Sequence, residues 1–248
     1  MVLAFCLTLA GRMSAAAPVP PPAPPALPDG TGGLAVVLFL LEGQKPFTAQ
    51  ADLRLLGVGA QEVMRSQMEF AYREGMARMD INLAQVRSDK LTPQSIAALR
   101  QLGMDQSSAC LLPKQNILRT MYPALRAYCD IPMPPRDAAV LNAKLKAAVE
   151  PDGTEKILGL SCQRQRVTLT PEKGEPIRLR VWRADALNAM PIQCEMPEGR
   201  FTARMLLSTV QWTPPDAAAF APPATYKKFP SLQAVLKEAA GRLPAPKP

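Results

Sequence analysis

Residues 34–41 of the chain are apolar without interruption, and beyond Glu42 and Lys45 the pattern turns to alternation, with Phe47, Ala49, Ala51, Leu53 and Leu55 set against Thr48, Gln50, Asp52 and Arg54. A helix that crosses a bilayer needs roughly 18 or more apolar residues. The first run is too short for that and predicts a short buried helix, whereas the alternation after Pro46 predicts a long strand with one wet face.

The same period recurs. Met64, Ser66, Met68, Phe70 and Tyr72 alternate with polar residues over 61–73, and after the turn at Glu74-Gly75 the residues Ala77, Met79, Ile81 and Leu83 do so over 76–86. These segments predict a hairpin with one apolar face. Thr92-Pro93 supplies a cap and a first-turn residue, Ile96, Leu99 and Leu102 form a helical stripe, and Gly103 stops it. Shorter apolar segments at 109–112, 116–122 and 125–131 are broken by Pro113 and Pro123, and a second short helix is expected over 138–149. The last third predicts strands over 162–170, 176–183, 190–196 and 200–212, with turns at 172–174 and 197–199. Pro214 to Phe229 closes the domain, and 231–240 has the pattern of a terminal helix. Many strands joined by tight turns, with few helices, imply an α+β, mainly antiparallel sheet curled around its own apolar face.

Composition narrows the chemistry. The 248 residues are 48% hydrophobic and 20% charged, enough to bury one sizeable core. The net charge of +8 suits an anionic partner in general terms. The complete absence of His removes the usual neutral-pH base and the commonest metal ligand. No metal site and no cofactor are expected.

The N-terminus divides the chain. Residues 1–17 begin with an apolar stretch and reach the small residues Ser14 to Ala17, as a signal peptide does. A proline-rich linker over 18–33 follows, then the domain over 34–230 and a C-terminal tail over 231–248. Export to the periplasm or cell envelope makes nucleic acid an unsuitable partner and disulfides possible. Cys110, Cys129, Cys162 and Cys194 are read either as small buried side chains or as one or two disulfides, whose connectivity is open.

Five stretches in this order resemble a family of exported bacterial domains of unknown function within the LolA/LolB-like superfamily: LRQLGMD at 99–105, NILRTMYPALRAYCDIPMP at 116–134, ILGLSCQRQRVTLT at 157–170, VWRADALNAMPIQCE at 181–195, and PDAAAFAPPATYKKF at 215–229. The opening helix-to-strand junction is similar to the LolA start. The resemblance implies a half-open antiparallel β-barrel covered by short helices, and an apolar hollow of the kind that shelters the acyl chains of lipoproteins. It brings no catalytic residues.

Candidate ligand-binding residues are Met64, Met68, Phe70, Met79, Ile81 and Met205, on predicted apolar strand faces. Unbranched thioethers adapt to varied hydrophobic guests and equally fill an ordinary core. Arg164, Arg166, Arg178 and Arg180, flanked by Trp182, form a predicted basic stripe on the other face, suited to an anionic membrane surface or an acidic envelope protein. Asp80, Glu69 and Glu195 are the acid and base candidates, but they lie on wet faces with no paired spacing. The resulting expectation is a non-enzymatic carrier of a lipid or lipoprotein acyl chain; the alternative is an interaction module of the envelope with a filled core.

Overall fold

The structure, a computed structural model, describes residues 32–142, 145–172 and 175–242. The expected signal peptide, nearly all of the linker and the end of the tail lie outside the described residues, as does the turn at Lys173-Gly174. In chain order the elements are α1 (Gly32–Leu40), β1 (Phe47–Leu56), β2 (Glu62–Arg73), β3 (Met76–Asn82), β4 (Arg87–Ser88), α2 (Pro93–Gln101), β5 (Gln106–Leu112), β6 (Ile117–Tyr122), β7 (Ala127–Pro132) and α3 (Pro135–Asn142). There follow β8 (Lys146–Ile157), β9 (Leu160–Thr170), β10 (Ile177–Ala184), β11 (Met190–Glu198), β12 (Phe201–Gln211), β13 (Lys227–Phe229) and α4 (Leu232–Gly241).

The strands form one sheet in the order β13-β7-β6-β5-β3-β2-β1-β12-β11-β10-β9-β8, with β4 paired to β2. Its two ends do not meet, so the sheet is open rather than a closed barrel. Two meanders of neighbouring hairpins are joined at one seam, where β1 pairs with β2 on one side and with the distant β12 on the other, Thr48 opposite Gln211. β13 lies parallel to β7, an exception to the antiparallel pairing elsewhere among the described residues.

Local chemistry explains the turns. Pro113 and Pro123 each open a 3-10 turn that ends in a left-handed residue, Asn116 at φ 54° and Arg126 at φ 49°. Proline presets φ at the start of such a turn and lacks only an N–H that the turn does not need. The Thr92 hydroxyl accepts from the Ser95 amide at 3.1 Å and caps α2 as expected.

The alternation sorts the faces as read from the sequence. Phe47, Met68, Phe70, Tyr72, Met79 and Ile81 turn inward and pack in one cluster with Leu99 and Leu102 of the α2 region and Leu232 and Val235 of α4. α1 has no polar face because it has no wet side: its Val37 and Leu38, with Leu41 just beyond its end, belong to this cluster. Its Ala35, Val36 and Leu40 join Val140 of α3 and Val167, Leu169, Ile177 and Leu179 in a second cluster. The helix is a wedge between two halves of the core.

Three sequence expectations are corrected. The helix expected over 138–149 stops at Asn142, and Lys146 to Val149 are already in β8. This strand carries no burial period because nearly every residue of it is exposed. β3 ends at Asn82, where the side chain accepts from the Ala84 amide at 3.0 Å and starts a 3-10 turn. β11 runs on to Glu198, so the reversal falls at Gly199-Arg200, with Gly199 at φ +60°. α4, in the segment read as a terminal helix, buries Leu232, Val235 and Ala239 in the core.

Candidate functional site

On the concave face the register aligns one row across five strands: Val181 opposite Cys194, Cys194 opposite Met205, Met205 opposite Leu53, and Leu53 opposite Ser66. Directly opposed side chains lie about 4.5–5.5 Å apart, so the row is a continuous apolar track. α1 lies over it. Between helix and sheet is a gap of about 10 Å³, lined by Val37, Leu40, Leu41, Pro191, Ile192, Cys194, Met205 and Leu207. That is the room of about one water molecule, whereas a small-molecule hollow occupies about 300–1,000 Å³. A second recess, of about 390 Å³, opens to solvent beside α4 between Phe229, Ala234 and the charged Lys237, Glu238 and Arg242.

The track ends in an unusual group. Ser66 is fully buried and its hydroxyl has no hydrogen-bond partner; the hydroxyl of Ser107, opposite Ile81 in the sheet, is buried and unpartnered too. A buried hydroxyl left unpaired costs about 1–3 kcal/mol. Ser66 was visible in the sequence as the hydroxyl among the apolar positions of β2, and nothing in the alternation marked it as unsatisfied.

Met64, Met68, Phe70, Met79, Ile81 and Met205 are all at most 7% exposed. The structure brings Met205 alone of the six to the gap under α1; the others are packed in the main core cluster. Cys194, read only as a buried or disulfide-forming cysteine, lines the gap as well, as do Ile192 and Leu207, which were not singled out because their pattern is that of any core strand.

The convex face carries the arginines. Arg166, Arg180, Glu195, Arg204, Arg54 and Arg65 stand opposite one another in register from β9 to β2. They are not a bare cationic stripe. Arg164 pairs with Asp152 at 3.1 Å and Glu155 at 3.5 Å, Arg166 and Arg180 approach Asp152, and Arg204 pairs with Glu195. Trp182, expected to flank the stripe on the surface, is only 5% exposed. Asp52 sits between Arg54 and Arg65; burial pushes its carboxyl up, but the hydrogen bonds and charges of the two guanidiniums outweigh this and hold it below the usual range.

Of the acid and base candidates, Glu69 and Asp80 stand directly opposite each other on β2 and β3, and Glu195 lies apart from them on β11. Asp80 is held by Arg78 and Ser108, and Glu195 by Arg204. The four cysteines are free thiols, and burial pushes Cys110 and Cys194 up to about 12 and Cys129 to about 11. These thiols are protonated at neutral pH and so are poor nucleophiles. Among the described residues no group of three or more potential His, Cys, Asp or Glu ligands is close enough to hold a metal ion.

Fold and site together define an open antiparallel half-barrel whose concave face is covered by helices. No family model and no curated protein matches the sequence. Among solved structures, the chain is similar to the lipoprotein LppX of Mycobacterium tuberculosis, at 11% identity over 73% of this chain and 96% of that one, with a TM-score of 0.38. It is similar to the LolA superfamily protein NE2245 of Nitrosomonas europaea, at 9% identity over 77% and 97% of the two chains, TM-score 0.40. It is also similar to a chain of the Pseudomonas aeruginosa MucA/MucB complex, at 9% identity over 79% of this chain and 62% of that one, TM-score 0.37. At such identities and TM-scores no residue role is carried over from them.

Proposed function

We propose that the chain is an exported, non-enzymatic binding protein of the cell envelope, and that its guest has an apolar body and a polar end, as the acyl chain of a lipid or lipoprotein has. The guest lies along the row from Val181 to Ser66, displacing α1 where it covers Cys194 and Met205. The observation that carries this reading is the unsatisfied Ser66 hydroxyl at the end of an apolar track. A guest carbonyl or hydroxyl there would supply the missing partner.

The lid has the properties such an exchange needs. α1 packs most extensively against α3 and reaches the sheet chiefly at β11, so entry of the guest requires the two helices to shift together. Gly43, at φ +79° with open space around it, links α1 to β1 and tolerates a change of direction.

Organic extraction of gently purified full-length protein, followed by mass spectrometry, tests the proposal. An acyl species in near-stoichiometric amount is expected, together with displacement of a fluorescent fatty-acid probe. Ser66→Ala should leave the empty protein as stable or more stable while weakening retention of that species. A clean extract with no probe binding overturns the carrier reading. The filled interior, with its gap of about 10 Å³, favours an interaction module in that event.

A further inference from the structure

The two edges of the sheet are treated differently. β13 is only three residues long and the two it exposes are Lys227 and Lys228, which is how natural sheets blunt an edge. β8 is twelve residues long and exposed almost throughout. Its second half is protected: Pro151 lacks an N–H, and the register shifts between Pro151 and Thr154 around Gly153 at φ +98°. Its first half, Lys146-Ala147-Ala148-Val149-Glu150, pairs regularly with β9 and carries Val149 at 53% exposure.

We propose that a second copy of this chain docks on this segment, β8 against β8, antiparallel about a two-fold axis through Ala148. The segment is complementary to itself in that register. Lys146 stands opposite Glu150 of the partner at both ends, and Ala147 opposite Val149. The main chain agrees. Pro151 has no N–H to give to β9, so its backbone faces outward, and by the period of two Ala147 and Val149 also turn their N–H and C=O outward. Each exchanges both hydrogen bonds with its opposite number, while Ala148 meets Ala148 in the closer, unbonded kind of pair.

Side chains continue across the axis. On the core side, Leu179, Val167 and Val149 form a row that leads to the partner's Ala147 and Leu169. On the other side, Glu150, 3.9 Å from Arg166 in its own chain, gains the partner's Lys146. The dimer turns an edge that invites unspecific pairing into the middle of a continuous sheet. It stands independently of any guest under α1.

Sedimentation analysis of the full chain over a concentration series is the test. A dimer is expected at about 100 µM, a concentration that reveals even modest affinity. Lys146→Glu places like charges opposite each other twice and should weaken the dimer about tenfold, and adding Glu150→Lys should restore it. In a chain that also carries Cys6→Ser, Ala148→Cys should cross-link to its counterpart under mild oxidation and Lys156→Cys should not, since the opposed Cα atoms lie within disulfide reach only at the axis. Circular dichroism checks that each variant is folded. A chain that stays monomeric overturns the proposal, as does a dimer indifferent to Lys146→Glu or not recovered by the double exchange.

Discussion

The indole N–H of Trp182 donates to the Glu155 carboxylate at 2.8 Å, reaching from β10 past β9 to the edge strand β8. Glu155 also approaches Arg164 at 3.5 Å, so one carboxylate ties three strands together. Trp182→Phe keeps most of the buried ring surface and removes the donor, and should lower stability by about 0.5–1.5 kcal/mol. Glu155→Ala should leave the indole without a partner and shift its fluorescence, whereas Glu155→Gln retains an acceptor and should stay near the parent. Equal effects of the two Glu155 variants in denaturant titrations would show that the hydrogen bond contributes nothing.

The methionines of β2 and β3 give a second expectation. Met68 and Met79 are 5% and 4% exposed and face Ile81 and Phe70 across the strand pair. Truncation of either to Ala removes contacts and leaves a cavity, so a loss of about 2–5 kcal/mol is expected in chemical denaturation. Losses well below 1 kcal/mol would mean that these side chains line an open hollow.

Acid stability follows from two half-buried carboxylates. Burial pushes Asp130 up, as it does Asp52, but the hydrogen bonds and charges of Arg119 and Lys228 bring Asp130 below its ordinary value. Groups with a depressed folded pKa stabilise the protein above the unfolded value, about 3.9, and that contribution is lost as pH falls through the lower folded values. Asp52→Asn with Asp130→Asn should therefore be less stable at neutral pH, with a shallower loss of stability below about pH 4. Parallel acid limbs for parent and variant would assign the acid sensitivity to other groups.

Much of the fold was legible because most strands are half buried, and half-burial writes itself as alternation. β2, with Met64, Ser66, Met68, Phe70 and Tyr72 inward, is the clearest case. β8 was missed for the complementary reason: its residues are wet on both faces, so they carry no period, and Ala147 to Val149 read as helix. Trp182 was misplaced because alternation reports which face a residue is on, not whether a loop or a neighbouring carboxylate covers it. The candidate site was legible only in class. That Met205 lines the gap while Met68 does not depends on where α1 settles, which is a matter of packing between distant segments.

The seam between β1 and β12 has a consequence for how the chain reaches this form. Each meander is built from hairpins between neighbours, which close quickly, but Leu53 finds Met205 only after about 150 residues have been ordered or looped out. β1 therefore waits with one flank unpaired until β12 reaches it, and a contact of this sequence separation is expected to form later than the hairpins. A helper that shields hydrophobic strands would act on this interval, and a mutation at the seam would show itself first as slow maturation rather than as weak final stability.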